Sequence, residues 1–173
     1  MAKRIAWSQH EVALLFRAYE EFAAGAGLNQ VAEDLSKTLR TMALRAGQEI
    51  DETYRNVNGM KMQLWDVQYL FTNGQMGLSG ASALIRQMYE IYTQRPAEYR
   101  KILEEALSVV NQMKSIDDAF FKWLAARVST SQLSDYYAAM SDVNEYCVSK
   151  KLISGSIFTL DDPSVVEQIE SSR

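Results

Sequence analysis

His10 is the only histidine in the chain and Cys147 the only cysteine. One of each cannot supply a Cys–Cys metal spacing or an HExxH helix, and no Cys–His pair is spaced for nucleophilic work. His10 falls in the first turn of an expected helix among polar neighbours and reads as a solvent-facing side chain. Cys147 falls on an apolar stripe and reads as a small buried hydrophobe. Among the acidic residues, Asp51-Glu52, Asp117-Asp118 and Asp161-Asp162 are adjacent pairs. Neighbours in a helix do not face each other, and Asp118 and Asp162 stand where helix caps are needed. Carboxylates from separated segments can still meet in space, as metal-dependent nucleases and glycosidases require. The run TNGQMGLSG has three glycines but lacks the Gly-Lys-Ser/Thr ending of a phosphate-binding loop, and reads as a surface loop. The expectation is a chain without a catalytic centre, cofactor or metal.

A second set of residues suits recognition. Tyr54-Arg55-Asn56-Val57-Asn58-Gly59, with Lys61 and Gln63 after it, sets Arg, Asn, Lys and Gln around a turn between helices. From Ser36 to Gln63 there are five basic residues against three acidic ones, in a chain whose formal net charge is -4. Arginine and lysine neutralise phosphates, and asparagine or glutamine can read an adenine edge. Lys37, Arg40, Arg45, Arg55, Asn56, Asn58 and Lys61 are therefore expected to form one nucleic-acid contact surface. Lys37 and Arg40, three residues apart, can share a helix face. Arg55 is its expected anchor, because a guanidinium suits both phosphate and guanine. The alternative makes Arg55 a structural clamp for Asp51-Glu52 and the asparagines turn-formers.

These residues need helices to position them. The chain has 173 residues, 47% of them apolar, and only two prolines, so long stretches can run helical without interruption. Trp7-Ser8 with Glu11 and Val12 has the spacing of a capping box and hydrophobic staple. Val12, Leu15, Phe16, Tyr19 and Phe22 then recur at helical spacing, and Gly25 and Gly27 end the segment. A second helix is expected from Asn29 to Ala46, on Val31, Leu35, Leu39 and Met42. A short helix from Ile50 to Tyr54 and a turn at Asn58-Gly59 should follow. Met60, Leu64, Val67 and Phe71, broadened by Trp65 and Leu70, mark the next helix. Another runs over Leu84, Ile85, Met88, Ile91 and Tyr92 and stops before Pro96, which opens its successor. Ser115 with Asp118, Thr130 or Ser131, and Asp162-Pro163 offer three further starts. The fold class expected is all-α, a bundle of roughly seven to nine helices with a helix-turn-helix-like N-terminal part. The organisation expected is a helical module over 1–114 and a smaller helical subdomain over 115–173. The mild acidity gives no global pull towards nucleic acid or an anionic membrane. No apolar run reaches the roughly 20 residues of a membrane span. With a lone cysteine and no signal segment, a cytoplasmic setting is expected.

Three resemblances add to this. Trp7-Ser8, Glu11, Leu14-Leu15, Tyr19, Val31-Ala32, Leu35 and Leu39 resemble the SANT/Myb type of three-helix domain, whose last helix contacts DNA or, in some members, histone tails. The later tryptophans of that repeat are missing. The block Trp7 to Leu78, with Leu35-Ser36, Leu39-Arg40, Tyr54-Arg55-Asn56, Asn58-Gly59 and Gln63-Leu64, resembles helical N-terminal modules of bacterial and phage-related proteins. Those modules carry a phrase similar to FRNPNG and precede HNH-nuclease or helicase-like regions. Val57 stands where many have proline, and HNH residues are absent, so nuclease activity is not implied. The tail from Phe120 to Val143 also resembles small DNA-clamping domains of integrases. The resemblance implies a non-catalytic DNA-binding or target-recognition module of a restriction, phage-defence or repair system, with a fused or separate DNA-processing protein as partner. The alternative is a protein-interaction or homo-oligomerisation module, with Phe120 to Trp123 and Tyr136-Tyr137 as its contact surface.

Overall fold

The computed structural model describes the backbone of residues 5–127 and the side chains of 5–113. Among the described residues there are five α-helices and no strand: α1 (Gln9–Ala23), α2 (Leu28–Arg45), α3 (Val57–Phe71), α4 (Ala83–Gln94) and α5 (Pro96–Arg127). By its contacts the chain divides into two units, Met1–Met42 with Ile50–Val110, and Ala43–Glu49 with Asn111–Arg173. The helices expected after Thr130 lie outside the described residues.

The start of α1 is a capping box. Ser8 Oγ accepts from the Glu11 amide at 3.2 Å, and Glu11 Oε2 accepts from the Ser8 amide at 2.8 Å. The helix closes at Gly25, whose φ of 109° belongs to glycine, and the Ala26 amide donates back to the Glu21 carbonyl. Three expected boundaries differ. Residues 52–55 form a turn rather than a short helix. Asp51 Oδ1 fixes it by accepting from Thr53 Oγ1 at 2.7 Å and from the Thr53 and Tyr54 amides at 2.9 Å. Asn58-Gly59 is not a turn but the first turn of α3. Asn56, two residues upstream, is the N-cap, and its Oδ1 accepts from the Gly59 amide at 2.8 Å. Nor does a new helix start at Ser115-Asp118, because no glycine or proline interrupts α5 there and its backbone bonds simply continue.

In the first unit α1 is the central element. Glu11 to Phe16, Ala18 and Tyr19 are all buried, so the first half of this helix is enclosed on every side, while Arg17, Glu20 and Glu21 keep one face of its second half in solvent. Phe16 gathers one aromatic ring from each of three later helices: Phe71 at 5.4 Å, Tyr92 at 6.1 Å and Tyr99 at 6.1 Å between centroids. The Tyr99 hydroxyl donates to the Ala13 carbonyl at 3.4 Å, and burial raises its pKa well above the usual phenol value. Val31, Ala32, Leu35 and Leu39 of α2 and Met60, Leu64 and Val67 of α3 complete the core. Trp65 departs from its expected place on that stripe, since 37% of it is exposed. Among the described residues no helix is long and apolar enough to cross a membrane.

Candidate functional site

The turn between α2 and α3 brings Arg55 to the capped end of α1. Glu11, already spent on its cap, is a buried carboxylate. It takes the Arg55 guanidinium as a fork, Nε to Oε1 at 2.9 Å and Nη2 to Oε2 at 3.2 Å. The Tyr54 hydroxyl adds a bond to Oε1 at 3.1 Å. Burial, with the Glu11 charge beside it, pushes the Tyr54 phenol up. The guanidinium also donates to the Ala6 carbonyl at 3.1 Å and lies 4.1 Å from the Trp7 ring and 4.7 Å from the Tyr54 ring. With 9% of its side chain exposed, Arg55 is a clamp between the approach to α1 and the α2–α3 connection. Its acidic partner is Glu11, not Asp51 or Glu52.

The other residues of the expected nucleic-acid surface separate into two groups. Arg40 is bound into the same turn, its Nη1 donating to the carbonyls of Tyr54 and of Asp51, the latter at 3.0 Å. Asn56 is the α3 cap. Arg45, in the second unit, donates from Nη1 to the Met113 carbonyl at 3.2 Å. Lys37 and Asn58 are exposed and Lys61 is half-buried. The structure thus brings Arg40, Arg55 and Asn56 together, but as the internal bracing of one turn. His10 is half-buried, with Nε2 3.2 Å from Glu105 Oε2. Among the described residues no three His, Cys, Asp or Glu side chains are placed to share a metal ion.

A different surface stands out on the outer side of α3. Met62 and Trp65, three residues apart, share a helix face, and 54% and 37% of them are exposed. The loop 72–80 folds back along it. The Leu78 amide donates to the Trp65 carbonyl at 3.0 Å, and the Gly80 amide donates to Asp66 Oδ1 at 3.0 Å. A Cβ on Gly77 would lie 2.2 Å from the Trp65 carbonyl oxygen, so only glycine permits this approach. Asp66 is buried beneath, and burial raises its carboxyl pKa although the Gly80 amide and Arg86 oppose the shift. Arg86 braces the loop from its far side, through the carbonyls of Ala81 at 3.0 Å and Ser79 at 3.2 Å. Held in this way, Leu78 stands 43% exposed where its amide meets the Trp65 carbonyl, and Met76, 57% exposed, is held by the Thr72 hydroxyl at the end of α3.

The sequence reading placed no contact there. A signal was present: Met62 falls off the Met60, Leu64 and Val67 stripe, and no charged residue occurs from Val67 to Ile85. The side chains of Phe120 to Trp123, and Tyr136-Tyr137, lie outside the described residues. Over the described residues the fold is that of an all-α helical module. No family model matches the chain, and it has no significant match among curated proteins or solved structures.

Proposed function

We propose that the first unit is a non-catalytic protein-interaction module whose contact face is Met62, Trp65 and Leu78. One observation carries this reading: Met62 and Trp65 stand out from one face of α3, and a loop that is itself pinned to that helix holds Leu78 outward at the Trp65 carbonyl. Ordinary surface scatters such residues singly, whereas a contiguous patch marks a place where another molecule sits. The pinned loop matters as much as the side chains, because a contact surface that is ordered beforehand loses less entropy on binding. The nucleic-acid reading is the less favoured one. Its expected anchor, Arg55, is committed to Glu11 and Trp7, and Arg40 to the same turn. The setting of DNA processing or defence rests on the FRNPNG-like resemblance alone and is compatible with a module that binds a protein.

The test is a photo-crosslinker, p-benzoylphenylalanine, placed at Met62 and, as a control, at exposed Glu104. Irradiation in the producing cell should join protein to the Met62 position and not to the Glu104 position. Equal adducts at both positions, or none at Met62, would overturn the reading. DNA binding that weakens steeply with salt and is lost in Lys37→Ala with Lys61→Ala would restore the nucleic-acid account.

A further inference from the structure

We propose that Met62 is an oxidation switch: a hydroperoxide converts its thioether to the sulfoxide, and the sulfoxide releases the protein bound at this face. The inference rests on the interaction reading above and adds how that contact is regulated.

Exposure selects the sulfur. Met62 is 54% exposed, whereas Met60 is 2% exposed and Met88 of α4 is fully buried. Two residues turn a helix by about 200°, so Met60-Lys61-Met62 sets one thioether in the core and the other in solvent. A thioether carries no proton to lose and reacts as it stands, so access to the oxidant decides which methionine is modified. Its sulfur lone pair attacks one oxygen of the peroxide and becomes the S–O bond. The second oxygen leaves with the O–O electron pair, takes up the remaining hydroxyl proton and, from hydrogen peroxide, departs as water. Sulfur is oxidised, the peroxide is reduced, and nothing else is consumed.

Position decides the consequence. Met62 shares a helix face with Trp65, three residues on, and this is the face that the partner covers. A sulfoxide oxygen is a strong acceptor that holds water, and a partner fitted to an apolar thioether must strip that water away. The fold is spared, because the Met62 side chain stands outside the core. The same reaction at Met60 would put a polar group among the buried side chains of α1 and α3. An outward methionine can therefore lose its contact and regain it by enzymatic reduction without unfolding the protein. Met76 supplies the internal comparison. It is 57% exposed and open to the same oxidant, but the Thr72 hydroxyl holds it at the far end of α3.

The test uses the full chain, with the photo-crosslinker at Leu78 so that Met62 stays in place. The purified protein is treated with hydrogen peroxide, freed of it, mixed with lysate of the producing cell and irradiated. Peptide mass mapping should find the added oxygen at Met62 and Met76 before Met60 and Met88, with helical circular dichroism unchanged. Untreated protein should join at residue 78 the same protein that is joined at the Met62 position. That adduct should be lost on oxidation and return after methionine sulfoxide reductases A and B act with dithiothreitol. Met62→Leu, similar in volume and without the sulfur, should keep the adduct after peroxide. Met76→Leu should lose it as the parent does. The inference is overturned if Met62 is oxidised no sooner than Met60, if Met62→Leu loses the adduct too, or if Met76→Leu protects it. An adduct that survives oxidation removes the switch and leaves the interaction reading standing. No adduct at residue 78 before peroxide removes the contact face of that reading, and this inference with it.

Discussion

Arg55 and Glu11, 44 residues apart, meet as a two-pronged ion pair with only 9% and 11% of their side chains exposed. Removing one partner of such a pair leaves the other charge buried and unmatched, which costs about 3–5 kcal/mol. Arg55→Ala is therefore expected to lower the melting temperature by about 10 °C. Thermal unfolding followed by circular dichroism measures this. A shift within about 1 °C would show that the clamp is not structural and would return Arg55 to the candidates for ligand contact. Glu11→Gln should cost a similar amount, and the double variant less than the two together, because the same contact is lost in both.

The two asparagines of the same segment should behave oppositely. Asn56→Ala removes the acceptor for the Gly59 amide and is expected to cost about 1 kcal/mol. Asn58→Ala, exposed in the first turn of α3, should be neutral or stabilise by a few tenths of a kcal/mol, since alanine is the better helix former. Denaturant titration of both variants decides it. Equal losses at the two positions would mean that the cap is not Asn56.

These residues also show what the sequence made legible. The α1 capping box, the stop at Gly25 and the start at Pro96 are local signals, complete within a few residues, and the structure has each where it was expected. Asn58-Gly59 misled because that dipeptide is a strong turn former; what overrode it was a better cap two residues earlier. The Ser115-Asp118 signal lacked any breaker to end α5 first. Arg55 could not be assigned from its neighbours, since its partner is remote and the nearby Asp51 serves its own turn. Glu11 held a hint: a carboxylate followed by the unbroken apolar run Val-Ala-Leu-Leu-Phe is drawn into the core with it and demands a cation from elsewhere. The outward face of α3 was hidden for a different reason. Helical spacing shows which residues can share a side, but not which apolar side meets solvent once the loop has folded over.

That loop makes a prediction of its own. Gly77 has a φ of 93°, and a Cβ there would press on the Trp65 carbonyl oxygen. Gly77→Ala should cost roughly 1–3 kcal/mol, or displace the loop and take Leu78 away from Trp65. Gly27→Ala is the control, because a Cβ there meets nothing within 4 Å, and it should stay within about 0.5 kcal/mol of the parent. Proteolysis confined to 72–80 in the Gly77 variant would report the displaced loop directly. Unchanged stability together with unchanged protease resistance would contradict the close approach.

Asp66 adds a pH dependence. Burial raises its carboxyl above the ordinary aspartate value, so the folded protein holds that proton more tightly than the unfolded chain. Stability contributed by the protonated form is complete below the unfolded pKa, near 4, and is lost as pH climbs through the raised value. Asp66→Asn keeps an acceptor for the Gly80 amide and removes the charge. The variant should match the parent at low pH and melt higher than it as pH rises to neutrality. Melting temperatures across that range measure the difference. A gap that is constant with pH, or one that widens as pH falls, would be the contrary result.

The enclosure of α1 bears on how the chain is made. Phe16 is synthesised early, yet the rings that cover it belong to Phe71, Tyr92 and Tyr99. At ordinary ribosomal speed Tyr99 follows on the order of ten seconds later. For that interval the helix with the longest buried run in the first unit waits outside the ribosome without its lining, exposed to the same association that its burial later prevents. A nascent chain of this design calls on whatever holds unfolded segments apart until α5 arrives.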